Sequence, residues 1–327
     1  MKVLITGGGG FLGRRLAARL LRLGTLGNAA SHVEKIERIT LFDKVPASGF
    51  DDPRIEVVTG DVNDSATLAQ VIDAETASIF HLAAVVSSQA EEDFDLGLSI
   101  NVDASRRLFE LCRKLGHRPK VIFASSVAVY GGALPDVVRD DTALAPKSSY
   151  GVQKAVVELL LSDYSRKGFI DGRAFRLPTI SVRPGKPNKA ASSFASGIIR
   201  EPLNGEESVC PVTPDEILWL MSPRQAIECL IHGHDLDAEA FGQPPVINLP
   251  GVSVSVREMV DVLGKVAGES ATRLIRWQAD PAVQRIIHSW PRRWDMSRAQ
   301  ALGFEGDADF ESIVRAFIKD DQGSGIR

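Results

Sequence analysis

A phenol and an ammonium group stand four residues apart at Tyr150 and Lys154, in the segment YGVQK. Residues with this spacing lie on one face of a helix, so the two side chains can meet. Free tyrosine has a pKa of roughly 10, and a neighbouring cation stabilises the phenolate and lowers that pKa. Such a tyrosine could take the proton of an alcohol while a hydride leaves the adjoining carbon. The pair alone is a common helix pattern, so its surroundings must decide.

Two adjacent serines, Ser125 and Ser126, end an apolar run that precedes the tyrosine. One of these hydroxyls could hydrogen-bond both the reacting oxygen and the tyrosine hydroxyl. We predict Ser126 for this role, whereas a serine that merely caps a helix or a turn fits Ser125 better. The sequence leaves the choice open by one position.

The segment TGGGGFLG directly follows the first apolar run and opens a helical pattern. With the spacing of Gly7, Gly10 and Gly13, the first glycine allows a tight turn, the second a close approach to a pyrophosphate, and the third close helix packing. The N–H groups and the dipole at such a helix start bind anions. Glycines also occur in plain turns, but this position between strand and helix indicates a dinucleotide site, with Phe11 and Leu12 beside it.

An acidic residue, Asp43, ends the second predicted strand of the sheet. A carboxylate there can accept hydrogen bonds from both hydroxyls of the adenosine ribose and repel a 2′-phosphate, which favours NAD over NADP. Its separation from Gly13 exceeds the usual ~20 residues, and residues 24–31 look like an insertion that absorbs the excess. The alternative is an ordinary strand-end turn residue.

Further candidates follow the third and fourth predicted strands, whose carboxyl ends face the cofactor in this arrangement. Asp61 could hydrogen-bond the adenine amine or serve as a helix N-cap, with Asn63 and Asp64 nearby. We predict that the cofactor contacts at these strand ends come from Asp61, Val62, Leu82, Ala83 and Ala84.

The segments that must position these groups alternate between compact apolar runs and amphipathic patterns. Runs typical of strands buried in a parallel sheet occupy residues 3–5, 39–42, 55–58, 78–80 and 121–124. Apolar residues at helical spacing occupy 12–23, 65–72, 102–115 and 150–164. This alternation predicts an α/β fold with a doubly wound (Rossmann) parallel sheet.

The pattern changes after about residue 180, where a polar, proline-rich loop replaces the next crossover helix. Shorter elements follow, with helices expected over 254–266 and 310–318 and a strand over 246–249 that could return to the sheet. We therefore predict a smaller mixed C-terminal substrate lobe. The predicted boundaries are 1–180 for the NAD-binding domain, joined by 226–250, and 181–225 with 251–327 for the substrate lobe.

A net charge of −4 without basic runs gives no footprint for a nucleic acid or an anionic membrane. Three scattered cysteines, Cys112, Cys210 and Cys229, lack metal-ligand spacing, so reduced thiols and no metal are expected. The apolar run before the glycines is too short for a signal peptide, and no stretch reaches membrane-spanning length. We expect a cytoplasmic protein.

The segments TGGGGFLG, ASSVAVYG and YGVQK, with Asp43 between the first two, have the order and spacing of the extended short-chain dehydrogenase/reductase family. The chain resembles this family over roughly residues 1–180. The resemblance implies an NAD-dependent oxidoreductase whose catalytic group is Ser126, Tyr150 and Lys154. Tyr150 and Lys154 are also expected to contact the cofactor, with Lys154 on the nicotinamide ribose.

The same resemblance implies roles outside the catalytic group. Asn101 matches the family's asparagine, which supports the lysine through water at the cofactor site, although an ordinary polar helix residue is the alternative. Pro178 is expected beside the cofactor. Pairing of the helices over 102–115 and 150–165 across a two-fold axis implies a homodimer.

Nucleotide-sugar members of the family carry an Arg-aromatic-x-Asn stretch after the sixth strand, but the stretch RLPT of this chain ends in threonine. This departure weakens the prediction of a nucleotide-sugar substrate. The loop that follows gathers cations, amides and hydroxyls, and an arginine can grip a carboxylate through two parallel hydrogen bonds. A solvated basic loop is the alternative. We expect a small sugar acid bound by Ser126, Tyr150, Thr179, Arg183, Asn188, Ser193 and Arg224. Arg224 could equally be a surface residue at a helix start, although the helix dipole disfavours a cation there.

Runs of the second lobe such as RPGKPNKAASS and SPRQA resemble those family members that oxidise the four-carbon sugar acid D-erythronate at C2 to the 2-oxo acid. A nucleotide-sugar epimerase or reductase would use the same Tyr150 and Lys154 and is the main alternative. A redox-sensing protein that binds the cofactor without catalysis is a third, against which the intact pair speaks. Trp219, Trp290 and Trp294 could wall a small pocket, although a buried core position is the commoner fate of tryptophan.

Overall fold

The structure is a computed structural model that describes residues 1–27, 32–186 and 190–322. Its first half consists of β1 (Lys2–Thr6), α1 (Phe11–Leu23), β2 (Thr25–Gly27), β3 (Val33–Lys35), β4 (Arg38–Asp43), β5 (Ile55–Thr59), α2 (Ser65–Val71), β6 (Thr76–His81), α3 (Ser87–Glu92), α4 (Phe94–Gly97), α5 (Ala104–Leu115), β7 (Lys120–Ser126), α6 (Ser149–Arg166), β8 (Asp171–Leu177) and β9 (Thr179–Ile180). Its second half consists of α7 (Phe194–Leu203), β10 (Ser208–Cys210), β11 (Ile217–Met221), α8 (Pro223–Asp235), α9 (Ala238–Phe241), β12 (Val246–Asn248), β13 (Val252–Ser255), α10 (Val256–Ala267), α11 (Glu269–Thr272), β14 (Ile275–Trp277), α12 (Pro281–His288), α13 (Ser297–Ala301) and α14 (Phe310–Phe317).

Seven parallel strands form the central sheet, in the order β12-β8-β7-β6-β1-β4-β5. This arrangement confirms the predicted doubly wound sheet, and β12 returns to its edge as the sequence suggested. Strand β1 lies between β4 and β6, so successive connections leave it in opposite directions. Ligands of doubly wound sheets bind at such a switch point, beyond the carboxyl ends of the strands.

The predicted insertion between the first helix and the second long strand contains a short antiparallel hairpin, β2 with β3. The tip of the insertion, residues 28–31, lies outside the described residues. The hairpin is attached to α8, because the Asp235 carboxylate at the end of that helix accepts a hydrogen bond from the Gly27 N–H at 2.9 Å. The insertion lengthens the connection between α1 and β4, and neither of its strands joins the central sheet.

The second lobe has a three-stranded sheet, β13-β11-β9, and a parallel pair of β10 with β14, packed on a separate apolar core. We predicted that residues 251–327 belong to the second lobe. The structure differs near residue 300, because Ala299 and Phe304 are part of the apolar core of the first lobe. They pack there with residues of α8 and β12, so the chain returns to the first lobe near residue 300. The helix expected from residue 254 begins at Val256, because Ser255 and Glu258 form a capping box.

Candidate active site

A cavity of about 530 Å³ runs along the carboxyl ends of the central strands and is bounded on one side by the second lobe. The structure brings most of the predicted site residues to its wall. Those that line it are Gly7, Gly10, Phe11, Leu12, Gly13, Asp43, Asp61, Val62, Leu82, Ala83, Ala84, Ser126, Tyr150, Lys154, Pro178, Thr179 and Arg183.

The glycine turn between β1 and α1 leaves no room for side chains. Gly7 has a φ of 74°, and a Cβ on it would lie 2.8 Å from the Ala83 backbone nitrogen. Gly10, the N-cap of α1, contributes no side chain that could cap the helix, so the first N–H groups are left for another acceptor. Glycine lets the backbone itself form the cavity wall, and the positive end of the helix is suited to a pyrophosphate.

Asp43 stands at the end of β4 and is oriented by two backbone N–H groups. Its carboxylate accepts hydrogen bonds from Gly9 at 3.1 Å and from Val45 at 3.1 Å. The carboxylate therefore has a fixed position next to the glycine turn. At this position the carboxylate could accept hydrogen bonds from ribose hydroxyls. Asp43 is thus both a turn residue, through its bond with the Val45 N–H, and a residue of the cavity lining.

Asp61 forms a local turn in which its carboxylate accepts the Asn63 N–H at 2.9 Å, and it lies 3.5 Å from the Lys44 ammonium. The N-cap of α2 is Asp64, whose side chain accepts from Ala66 and Thr67. The alternative of a helix cap at Asp61 is therefore wrong. Its side chain borders the end of the cavity beyond β5 instead.

Helix α6 carries the tyrosine and the lysine, and side chains accept hydrogen bonds from two of its first three N–H groups. Ser148 accepts from the Gly151 N–H at 3.2 Å, and Glu91 accepts from the Ser149 N–H at 2.8 Å. The Lys154 ammonium donates to the Ala124 carbonyl at 2.8 Å and lies 5.6 Å from the centre of the Tyr150 ring. The predicted pair therefore meets at the end of β7.

Burial dominates the protonation of this pair. It raises the pKa of Tyr150 to about 12, while hydrogen bonding from Ser126 and the charge of Arg183 act in the opposite direction. It also lowers the pKa of Lys154 to about 7, against the attraction of Glu158. The expectation that the lysine brings the tyrosine pKa below its usual value is not met, because desolvation disfavours both charged forms.

The two serines have opposite surroundings. Ser126 faces Tyr150 and also accepts the Ala128 N–H at 3.1 Å, so the capping role expected for Ser125 falls to Ser126. Ser125 is buried and donates to the Glu158 carboxylate at 2.5 Å. Glu158 in turn pairs with the Arg176 guanidinium at 2.8 Å beneath the site. Ser125 therefore belongs to a buried polar network that supports α6.

Asn101 is buried in a π-helical turn between α4 and α5 and does not line the cavity. Its amide accepts the Val85 N–H at 2.8 Å, donates to the Val85 carbonyl at 3.0 Å, and donates to Gln153 at 2.7 Å. It thus fixes the cavity-lining Val85 and the helix residue preceding Lys154. No contact between Asn101 and Lys154 is found among the described residues, so the support of the lysine through water stays a prediction, and the predicted cofactor contact of Asn101 finds no place at the cavity wall.

Arg183 is a second-lobe residue that lines the cavity and lies near Tyr150. Burial and the charge of Arg200 lower its pKa, and Tyr150 is near enough to act against them. Among the described residues no hydrogen bond or ion pair of its guanidinium is found; its backbone is fixed by Ser196 at 3.0 Å and by Arg200. A partly buried cation so placed is suited to an anionic ligand.

Two other predicted substrate residues, Arg224 and Ser193, do not line this wall, and a third cannot be placed. Arg224 lies on α8 outside the cavity and pairs with Asp320 at 2.6 Å, which offsets the unfavourable dipole at the helix start. Ser193 is the N-cap of α7, and its neighbour Ser192 lines the cavity instead. Asn188 lies outside the described residues.

Sequence reasoning missed the short helix α3, whose first residues line the cavity. Ser87 accepts the Ala191 N–H at 3.1 Å and so joins the first lobe to the loop of the second. It also missed His81, which bonds Thr6 at 2.7 Å and Ser105 at 2.9 Å, while Thr6 accepts the Ala83 N–H. The sequence signal that could have identified His81 and Ser87 is their position at or just after the carboxyl end of β6, where ligands of such sheets bind.

The three tryptophans occupy two different places in the structure. Trp290 lines the cavity, whereas Trp219 and Trp294 stack with ring centres 5.6 Å apart and are not part of its lining. Trp294 also meets the buried Tyr130 edge-on at 5.3 Å. Of the three tryptophans that could have lined a pocket, only Trp290 lines this cavity.

Other site types find no support in the described chain. No group of histidine, cysteine and carboxylate side chains in it could hold a metal ion. Within the same ranges, no helix is both long and apolar enough to span a bilayer.

Comparison with known proteins agrees with this geometry. Residues 3–219 match the NAD dependent epimerase/dehydratase family. Over 98% of its length the chain is 58% identical to a D-erythronate dehydrogenase of Cupriavidus necator, covering 98% of that protein. It is 47% identical to a D-erythronate dehydrogenase of Haemophilus influenzae over 98% of this chain and 100% of that protein.

A solved structure described as a nucleoside-diphosphate-sugar epimerase from Agrobacterium tumefaciens superposes with a TM-score of 0.92. It shares 41% identity and covers 100% of this chain and 96% of its own. The glycine turn, Asp43 and the Tyr150–Lys154 pair fit the cofactor that the family uses. The chain belongs to the NAD-dependent epimerase/dehydratase family, the extended short-chain dehydrogenases/reductases, and is an NAD-dependent oxidoreductase.

Proposed function

We propose that this protein oxidises a short sugar acid, D-erythronate or a close relative, at C2 to the 2-oxo acid. The observation that carries the proposal is the Arg183 guanidinium, which stands near Tyr150 without an ion pair of its own in the described chain. A carboxylate held there would place the adjacent C2 hydroxyl near the tyrosine. Similarity to two D-erythronate dehydrogenases over nearly the whole chain supports the same substrate class.

The residues of the site divide the reaction between them. Arg183 binds and orients the carboxylate through two parallel hydrogen bonds. The Tyr150 phenolate takes the proton of the C2 hydroxyl, and Ser126 holds both oxygens in line. Bound NAD⁺ would accept the hydride that leaves C2, which yields the 2-oxo acid and NADH. Lys154, fixed by the Ala124 carbonyl, lies 5.6 Å from the centre of the Tyr150 ring, and in its protonated form it would oppose the burial that disfavours the phenolate.

Asp43 is the proposed selector of NAD over NADP. Its carboxylate, oriented by Gly9 and Val45, can accept from the two ribose hydroxyls, whereas a 2′-phosphate would meet its negative charge. The contacts of Phe11, Leu12, Asp61 and the residues after β6 complete the proposed cofactor site.

The test of the substrate class is NAD reduction by the purified protein. We expect turnover with aldonic acids of four to six carbons, greatest for a four-carbon acid, and none with UDP-sugars. Identification of the 2-oxo acid product by mass spectrometry fixes the site of oxidation. Turnover of UDP-sugars with no activity on aldonic acids would establish the alternative, a nucleotide-sugar epimerase or reductase; the Agrobacterium structure is described as such an epimerase.

The proposed enzyme is a cytoplasmic homodimer. Apolar side chains are exposed on α6, which is expected at the two-fold axis, where Leu159 is 69% exposed and Val152 48%, and Phe94 on the neighbouring α4 is 57% exposed. Burying them against a second copy removes this apolar surface from water. All three cysteines are buried free thiols, as in proteins of a reducing compartment. Light scattering should give twice the mass of the 35.4 kDa chain, and Leu159→Glu should reduce it to one chain.

A further inference from the structure

Trp290 is the only residue beyond Ser192, within the described chain, that lines the cavity. It is also the only aromatic side chain that the second lobe contributes to this wall. The other lining residues from the loop of that lobe are Arg183, Ala190 and Ser192. Among the described residues, the second lobe thus contributes one cation, two small side chains and one large flat ring to the cavity lining after Ile180.

The backbone that carries Trp290 is firmly held on its N-terminal side. Helix α12 starts at an Asp280 cap, whose carboxylate accepts from Ala282 at 2.8 Å and from Val283 at 3.2 Å. Near its end, Ile287 is 1% exposed in the core of the second lobe. The Trp290 N–H donates to the Ile287 carbonyl at 3.0 Å. The indole therefore projects from a fixed turn.

A buried carboxylate holds the same turn from both sides. Glu216 contacts the His288 ring at 3.3 Å and the Arg292 guanidinium at 3.7 Å, and these residues flank Trp290 at equal distances along the chain. Neither contact involves the indole. Replacing the Trp290 side chain should consequently change the volume of the cavity more than the course of the backbone.

We propose that Trp290 sets the upper limit on the carbon-chain length of the substrate. The inference rests on the proposed sugar-acid dehydrogenase function and deepens it. With the carboxylate on Arg183 and C2 at Tyr150, the carbons beyond C2 would occupy the remaining volume of the same cavity, whose lining includes Trp290. On this inference a four-carbon acid fits beside the indole, whereas each added CHOH unit must share the volume that the ring occupies.

The test compares kcat/KM for aldonic acids of four, five and six carbons with the same configuration at C2. In Trp290→Ala, we expect the ratio of the six-carbon to the four-carbon acid to rise by about tenfold or more, since small changes of pocket size are worth roughly 10- to 200-fold in discrimination. Trp290→Phe should give a smaller rise in the same order of substrates. The matched control is Trp277→Ala, because Trp277 is 47% exposed on β14 and lies outside the cavity lining; its ratio should equal that of the wild type.

Unchanged ratios in both Trp290 variants would overturn the proposal, provided that turnover of the four-carbon acid persists. If Trp290→Ala fails to fold, Trp290→Phe alone decides by the same ratio. Failure of the proposed function gives a different result: the wild type would reject every aldonic acid. The same variants would then be compared on short and long members of the class that is turned over, and equal selectivity would again refute the role of Trp290.

Discussion

Replacing Arg183 separates substrate binding from the activation of the tyrosine. The guanidinium is partly buried, its backbone is fixed by Ser196 and Arg200, and within the described chain it forms no ion pair. A hydrogen bond to a charged group contributes about 1.5–3 kcal/mol. Arg183→Ala should therefore lower kcat/KM for the sugar acid roughly 10- to 150-fold, at about 1.36 kcal/mol per tenfold change.

Arg183→Lys keeps the charge but loses the planar pair of donors. Because the positive charge at this position lowers the pKa of Tyr150, its removal in Arg183→Ala should move the rising limb of the pH profile for oxidation to higher pH. The lysine variant should raise KM while leaving that limb nearly in place. The comparison of the two profiles distinguishes a binding effect from an effect on the base.

The assay is initial-rate NADH formation at saturating NAD, over a series of pH values, with the sugar acid and with the corresponding neutral polyol. The polyol should be a poor substrate of the wild type and should lose little further in Arg183→Ala at high pH. Arg224→Ala is the matched control, since that arginine pairs with Asp320 outside the cavity. A wild-type preference for the polyol, or an unchanged KM for the acid in both Arg183 variants, would refute the assignment of the carboxylate to Arg183.

Three further substitutions test the remaining assignments. Tyr150→Phe removes the proton acceptor and should lower kcat by about 10²-fold or more, while calorimetry shows nearly unchanged NAD affinity; retention of a tenth of the activity would exclude Tyr150 as the base. Ser126→Ala removes a hydrogen bond that lowers the pKa of Tyr150, so the rising limb of the kcat/KM profile should move to higher pH, and an unmoved limb would contradict this role. Asp43→Ala removes the repulsion of a 2′-phosphate and should lower the NAD-to-NADP ratio of kcat/KM, whereas an unaltered ratio would assign cofactor choice to other residues.

Local spacing was enough to predict the first half of the fold and that Tyr150, Lys154 and the glycine turn line one cavity. Gly7, Gly10 and Gly13 are close in sequence, so their geometry follows from one turn, and Tyr150 and Lys154 meet because they share a helix face. Arg224 was misplaced for the opposite reason. Its partner Asp320 is distant in sequence, and no local pattern shows on which side of the protein a helix start will lie.

The protonation of the site was also beyond the sequence. A cation four residues from a tyrosine predicts a lowered pKa, but burial of both side chains reverses the outcome for the tyrosine. Burial of these side chains results from the packing of segments that are distant in sequence, which no local pattern shows. Likewise, the capping serine was misassigned, because Ser125 finds Glu158 only after α6 packs on the sheet.

The interleaved course of the chain has a consequence for how the two lobes can come apart. The chain enters the second lobe after β8, returns for α8 and β12, leaves again at β13, and comes back with Ala299 and Phe304 before its last helix. No single cut divides the chain into two self-sufficient pieces, so excision of either lobe would expose part of the other's core. Thermal denaturation should accordingly show one cooperative transition, and any opening of the cleft must move several chain connections together.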